Sequence, residues 1–322
     1  MKEIKWGIVG LGKIANKFAE GLKSVEDAKL YGVASRDISN AKEFAQNHNA
    51  DKAYGSYEEL MQDDQVDVIY IATPHVFHHG ITMKCLEHGK AVLCEKPFAI
   101  NLEETDEMIA SSRNKKVFLM EALWTKFLPH FDFVTKKVNS GELGKIKSIK
   151  ADFGFPAKFD KSKRLFNKSL GGGSLLDIGI YPVFMAYSLL GKPEKIKASA
   201  QFTETGVDSE CSIKFKYSNE VEAELYSTFM EKTPTTAEVI MEKGSILLNS
   251  RFHEPTTITI LQDGNEDTFE FGVDTNGYNF EAAHVTRMLQ NGVTESDIWS
   301  LDKTRDLIFL LDEIRKEIGM EY

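Results

Sequence analysis

Residues 7–15 read Gly7-Ile8-Val9-Gly10-Leu11-Gly12-Lys13-Ile14-Ala15, a glycine-rich turn behind the apolar run 4–9 and ahead of Ile14, Phe18 and Leu22 at helical spacing. Strand, turn and helix in that order give each small residue a task. Gly10 lets the backbone turn sharply, Gly12 lets the main chain approach a pyrophosphate, and Ala15 takes the third glycine's place where the helix packs on the strand. The free N–H groups and positive dipole end of that helix favour an anion. A Gly-x-Gly-x-x-Ala string alone is weak, and an ordinary tight turn competes with it. Its place directly after the first strand decides for nucleotide binding, with Leu11, Lys13 and Ile14 completing the cofactor loop.

Outward from this loop, short apolar runs at 4–9, 30–34, 66–72, 91–94 and 117–120 alternate with amphipathic segments, the pattern of a doubly wound parallel sheet. Gly89-Lys90 closes a helix over 76–87, and Asn101 ahead of Glu103-Glu104 opens another. After a helix over 127–138 the texture changes. Longer period-two stretches at 146–155, 195–203, 211–217, 221–229, 238–241, 245–248 and 257–261 predict a mixed or antiparallel sheet, and helices return at 279–290 and 302–318. The chain is α/β: an NAD(P)-binding Rossmann domain over 1–122, then an α+β substrate-binding domain with a large open sheet over 123–322.

Composition narrows the class. The 322 residues are 42% hydrophobic and 27% charged, ordinary for a globular protein. A formal net charge of −10 repels nucleic acid and anionic lipid, so small molecules or further subunits are the expected partners. Met1-Lys2-Glu3-Ile4 enters a strand without room for a signal peptide, and no apolar run reads as a bilayer span. Cys85, Cys94 and Cys211 are odd in number and widely spaced, which argues against disulfides and zinc and agrees with a cytoplasmic location.

At the end of the second strand an acidic residue would hold the ribose 2′-hydroxyl of NAD, whereas a 2′-phosphate wants an arginine. Here the chain reads Ala34-Ser35-Arg36-Asp37. Ser35 stands where the acid is expected and Arg36 can stack on adenine and contact phosphate, which favours NADP. NAD is the alternative, with Asp37 supplying the acid a position or two late.

Lys96 follows the fifth strand at the carboxyl edge where ligands of open α/β sheets bind; it can bind a substrate oxygen or lower a neighbouring acid's pKa. A solvated surface lysine is the plain alternative. Gly171-Gly172-Gly173-Ser174-Leu175-Leu176-Asp177-Ile178-Gly179-Ile180-Tyr181 turns into a helix on which Asp177 and Tyr181, four apart, share a face. The phenol is a proton donor or acceptor and the carboxylate can hold a hydroxyl; equally, Asp177 can be a helix-start acid and Tyr181 a core aromatic. His75, His78 and His79 follow Thr73-Pro74 at the fourth strand's end, a polar contact to cofactor or substrate rather than a metal site. Glu121 and Trp124 fall at the same ligand edge, and Trp124 can equally be interdomain packing.

Together these stretches, with Ala53-Tyr54-Gly55-Ser56-Tyr57-Glu58-Glu59-Leu60, Leu93-Cys94-Glu95-Lys96-Pro97 and Met120-Glu121-Ala122-Leu123-Trp124-Thr125, resemble the Gfo/Idh/MocA oxidoreductases over the whole chain, and within them the branch of dimeric dihydrodiol and NADP-dependent D-xylose dehydrogenases. The resemblance implies Lys96 and Tyr181 as the catalytic pair, with Asp177 binding substrate hydroxyls. Tyr181 stands where many members carry histidine, a departure shared with the dihydrodiol branch. The resemblance also implies a homodimer formed through the open sheet. The cofactor contacts are then Gly10, Leu11, Gly12, Lys13, Ile14, Ser35, Arg36, Thr73, Pro74, His75, His78, Glu95, Lys96 and Trp124. The expected activity is NADP-dependent hydride transfer at a carbinol carbon of a sugar, cyclic polyol or trans-dihydrodiol, Tyr181 exchanging the proton with its pKa lowered by Lys96. The alternatives are a non-catalytic NADPH- or sugar-sensing regulator, and a retained-cofactor sugar transhydrogenase or glycosidase.

Overall fold

The computed structural model describes residues 2–322, which form two compact units, one running to Phe127 and resuming over Val273–Arg305, the other Leu128–Gly272 with Asp306–Tyr322. The first unit begins β1 (Ile4–Val9), α1 (Lys13–Leu22), β2 (Ala28–Ala34), α2 (Ile38–His48), β3 (Lys52–Tyr54), α3 (Tyr57–Gln62), β4 (Val68–Ile71), α4 (His78–Glu87), β5 (Ala91–Glu95), α5 (Leu102–Lys115) and β6 (Leu119–Ala122). Six parallel strands lie in the order β3-β2-β1-β4-β5-β6. The order reverses between β1 and β4, and ligands of such sheets bind beyond the strands' carboxyl ends at that point. Strands β4, β5 and β6 are buried throughout, which explains their continuous apolar reading. Glu121 lies inside β6 rather than after it. Asn101 caps α5 by accepting the Glu104 N–H at 2.8 Å, and Gly89 takes φ +69° just past α4.

The second unit holds α6 (Pro129–Asn139), β7 (Ile146–Gly154), a π-helical turn (Leu175–Gly179), α7 (Ile180–Leu190) and β8 (Lys195–Phe202). It continues with β9 (Asp208–Lys216), β10 (Glu222–Thr228), β11 (Ala237–Met241), β12 (Gly244–Leu248), β13 (Ile258–Gln262) and β14 (Asn265–Phe269). These make an eight-stranded sheet in the order β14-β13-β12-β11-β7-β10-β9-β8, antiparallel except for the central β7–β10 pair. Helix α7 packs on β7 and β10, and its residues from Ile180 to Ala186 are all buried, as an apolar helix requires. The segment Lys168–Leu190 is in fact long and apolar enough to cross a bilayer, correcting the sequence reading; 78% of its apolar window is buried, so it serves as a core helix. A broad depression of about 920 Å³ on the sheet is lined by Lys150, Asp152, Lys197, Lys214, Glu224 and Glu238 among others.

A single cut after residue 122 does not divide the chain. The first unit keeps Trp124–Phe127 and regains α8 (Tyr278–Gln290), which buries Tyr278, Glu281, Ala282, Val285 and Met288. Trp6 Nε1 donates to Thr286 Oγ1 at 3.3 Å, and a Cβ on Gly21 would come within 2.9 Å of the Tyr278 side chain. The last helix, α9 (Leu301–Ile318), gives its residues from Asp306 on to the second unit.

Candidate active site

In the first unit the glycine turn has the geometry its sequence predicts. Gly10 adopts φ +82°, and a Cβ there would lie 2.7 Å from the backbone of Ala72 and Thr73, so the loops after β1 and β4 touch only because Gly10 has no side chain. Gly12 is the N-cap of α1 and offers no side-chain cap to the first-turn N–H groups. A Cβ on Gly12 would meet nothing nearer than the Gly10 carbonyl at 4.0 Å, which leaves the space above it open. Ala15 is fully buried against the sheet. An open cradle, uncapped N–H groups and no acid in the first turn fit a dinucleotide pyrophosphate.

Beside the loop a pocket of about 380 Å³ is lined by Leu11, Asn16, Ser35, Asn40, Glu43, Phe44 and Asn47. Asp37 caps α2, accepting the Ser39 N–H at 2.9 Å together with the Ser39 hydroxyl, and these bonds hold its carboxyl below the usual carboxylate range. Both bonds fall on Oδ1, so the carboxyl is turned toward the start of α2. Arg36 is exposed beside Ser35.

Past β4, Thr73 Oγ1 is buried without a hydrogen-bond partner among the described residues. His78 is fully buried, with Nε2 2.9 Å from the Thr73 carbonyl and Nδ1 2.9 Å from the Pro97 carbonyl. It therefore ties two loops together instead of presenting a ring nitrogen to a ligand, against the sequence expectation. His75 is buried against its edge at 6.0 Å, while His79 pairs with Glu107 at 2.7 Å on the surface. Among the described residues, none of the His, Cys, Asp or Glu side chains form a group of three that could hold a metal ion.

Lys96 is half-buried past β5, and the Lys96–Pro97 peptide is cis. Its N–H donates to Glu95 Oε2 at 3.2 Å, and the Tyr70 hydroxyl donates to Glu95 Oε1. Two residues on, the Phe98 N–H donates to Glu121 Oε1 at 3.1 Å, while Trp299 Nε1 donates to Oε2 at 3.1 Å. Burial pushes the Glu121 carboxyl up to about 7. Glu281 on α8 is fully buried with neither carboxyl oxygen bonded among the described residues; burial and the nearby Glu95 charge push its pKa well above the usual carboxylate range. Trp124 is buried and stacks on Tyr278 at 4.4 Å and 12°, so one face of the indole is spent on packing within this unit.

Asp177 and Tyr181 belong to the second unit. Gly171–Gly173 precede them for steric reasons: a Cβ on Gly172 would sit 2.6 Å from the Arg164 carbonyl, and one on Gly173, at φ +120°, 2.2 Å from Asp208 Oδ1. Buried Asp208 accepts the Ser174 hydroxyl and the Leu175 N–H, each at 2.7 Å, and so fixes the start of the π-helical turn that carries Asp177. Arg164 grips Asp177 Oδ1 at 2.7 Å. Tyr181 stands in an aromatic wall, 4.8 Å from the His253 ring and 5.8 Å from Phe153, which themselves stack at 4.2 Å. Sequence reasoning missed Arg164, His253, Phe153 and Glu281, because each gains meaning only from a partner distant in the chain.

A dinucleotide cradle on a six-stranded parallel sheet, with a separate α+β unit presenting a carboxylate and a phenol, defines a nicotinamide-dependent oxidoreductase. The chain belongs to the Gfo/Idh/MocA family: residues 4–123 match the oxidoreductase family's NAD-binding Rossmann fold and residues 131–247 its C-terminal domain. It is 39% identical to the trans-1,2-dihydrobenzene-1,2-diol dehydrogenase of Xenopus tropicalis, with 99% of each chain covered, and 37% identical to that of Homo sapiens, covering 99% of this chain and 98% of the human one. The fold matches the aldose-aldose oxidoreductase from Caulobacter crescentus complexed with glycerol at a TM-score of 0.90 and 22% identity, covering 99% and 98% of the two chains. It also matches a 3-ketoreductase from Actinomadura kijaniata in complex with NADP and TDP-benzene at a TM-score of 0.89 and 23% identity, covering 98% of each.

Proposed function

We propose that this protein is an NADP-dependent dehydrogenase that moves a hydride between nicotinamide and a carbinol carbon of a trans-dihydrodiol, sugar or cyclic polyol. The observation that carries the reading is the pairing of two chemistries around the π-helical turn: a carboxylate, Asp177, held in place by Arg164, and a phenol, Tyr181, set in an aromatic wall. Such a wall suits the flat face of a carbocycle or the C–H face of a pyranose, and the carboxylate accepts hydroxyl protons. Full-length kinship to dihydrodiol dehydrogenases supports the same class.

The dinucleotide supplies the hydride donor or acceptor. Gly12 and the first turn of α1 would hold its pyrophosphate, and Ser35 with the exposed Arg36 would receive a 2′-phosphate. Asp177 orients substrate hydroxyls. Tyr181 removes the carbinol proton during oxidation and returns one to the carbonyl oxygen during reduction, while Lys96 supplies positive charge that favours the oxyanion. Three buried free cysteines agree with a cytoplasmic protein, and the open sheet face is the proposed homodimer surface.

Nicotinamide absorbance followed with NADP and then NAD over aldoses, inositols and a trans-dihydrodiol tests the proposal. Turnover with NADP on one of these groups is expected. Tyr181→Phe should lower kcat by about 100-fold or more while NADPH affinity stays within about twofold; unchanged turnover in that variant would reject the assignment.

A further inference from the structure

Two polar side chains behind the glycine turn have no place in the reaction, yet they are joined to it by hydrogen bonds. The Gly12 carbonyl accepts the Asn16 backbone N–H at 3.2 Å and also Asn16 Nδ2 at 2.9 Å. The other end of that amide, Oδ1, lies 2.7 Å from His48 Nε2. An amide oxygen only accepts, so His48 Nε2 carries the proton.

His48 closes α2, 7% exposed, with its ring 4.4 Å from Phe44. Its Nδ1 is buried and has no hydrogen-bond partner among the described residues, a cost that an apolar side chain would not incur. Burial and the nearby Lys23 charge lower its pKa, so the ring is neutral and its single N–H is aimed at Asn16. Asn16 and Phe44 also line the pocket that runs from Leu11 to Ser35. The same amide thus touches the turn on one side and the pocket on the other.

We propose that His48 and Asn16 are positioning residues for the dinucleotide, a relay in which the α2 histidine fixes the Asn16 amide and the amide fixes the Gly12 carbonyl. The relay holds the peptide that faces the pyrophosphate and the wall beside the adenosine end in one geometry before ligand arrives, which reduces the ordering left to binding. It rests on the reading of residues 10–15 as the dinucleotide loop. Its effect belongs to affinity alone, because neither side chain is placed at the reacting carbon.

The test is NADPH binding by fluorescence titration in wild type, His48→Leu, His48→Gln, Asn16→Ala and the double variant His48→Leu/Asn16→Ala, with steady-state kinetics at saturating cofactor. His48→Leu and Asn16→Ala should each weaken NADPH about tenfold, leave kcat within about twofold, and combine to no more than the larger single loss. His48→Gln, which keeps a donor, should recover most of the affinity; it also keeps the comparison open if the leucine variant does not fold. Unchanged NADPH affinity in His48→Leu, or losses that multiply in the double variant, would overturn the relay while leaving the cofactor reading intact. Failure of the wild-type protein to bind either NADPH or NADH would remove the loop reading and the relay with it.

Discussion

Glu121→Gln should remove one source of pH dependence from the stability of the first unit. The Glu121 carboxyl is fully buried and accepts the Phe98 N–H and Trp299 Nε1–H, yet burial outweighs both bonds and raises its pKa from 4.5 to about 7. Because the folded-state pKa is the raised one, the folded protein holds the proton more tightly than the unfolded chain. The stability from this group is fully present below pH 4.5, declines as pH climbs to about 7, and is gone above. At about 1.4 kcal/mol per pH unit the loss over that window is roughly 3 kcal/mol. Glutamine cannot ionise, but its amide gives up one of the two acceptor positions, a pH-independent cost of about 1–3 kcal/mol. The variant should therefore be the weaker protein in acid and close the gap, or overtake wild type, near neutrality. Trp6, Trp124 and Trp299 are the chain's three tryptophans and all lie in the first unit, so tryptophan fluorescence in urea reports that unit alone. A difference between variant and wild type that stays constant from pH 4.5 to 7 would show that Glu121 does not take up a proton on folding in that range.

Two further substitutions separate fold from function. Gly12→Ala meets nothing nearer than 4.0 Å and should melt like wild type while losing about tenfold or more in NADPH affinity, whereas Gly10→Ala, strained at φ +82° and 2.7 Å from Ala72 and Thr73, should lower the melting temperature as well; equal melting of the two would contradict the geometry. Arg164→Met removes the cation 2.7 Å from Asp177 and should raise the substrate KM several-fold with a smaller change in kcat, so a KM equal to wild type would show that Asp177 needs no partner.

Much of the first unit was legible because its signals are local. Gly10, Gly12 and Ala15 act through neighbours a few residues away, and strands buried on both faces read as apolar runs. Strand β3 is three residues long and β14 has all five residues exposed, so neither carries a period, and each exists through pairing with the strand beside it. The site divides in the same way. Lys96 and Asp177 stand out from their motifs, but Arg164 and Glu281 look like ordinary charges until their surroundings are known. His78 misled for the same reason, since a sequence does not show that both ring nitrogens face carbonyls.

The return of residues 273–305 to the first unit bears on how the protein is made. Trp6 and Gly21 await partners on α8, and Glu121 awaits Trp299, so the nucleotide unit stays unfinished until Arg305 has left the ribosome. At a translation rate of about 5–20 residues per second, that is a delay on the order of ten to thirty seconds after Phe127 emerges, during which apolar surface meant for α8 is bare to chaperones. A fragment ending at Phe127 should therefore be insoluble alone and rescued by a separate strand of chain covering 273–305, which makes this unit a natural candidate for split-protein complementation.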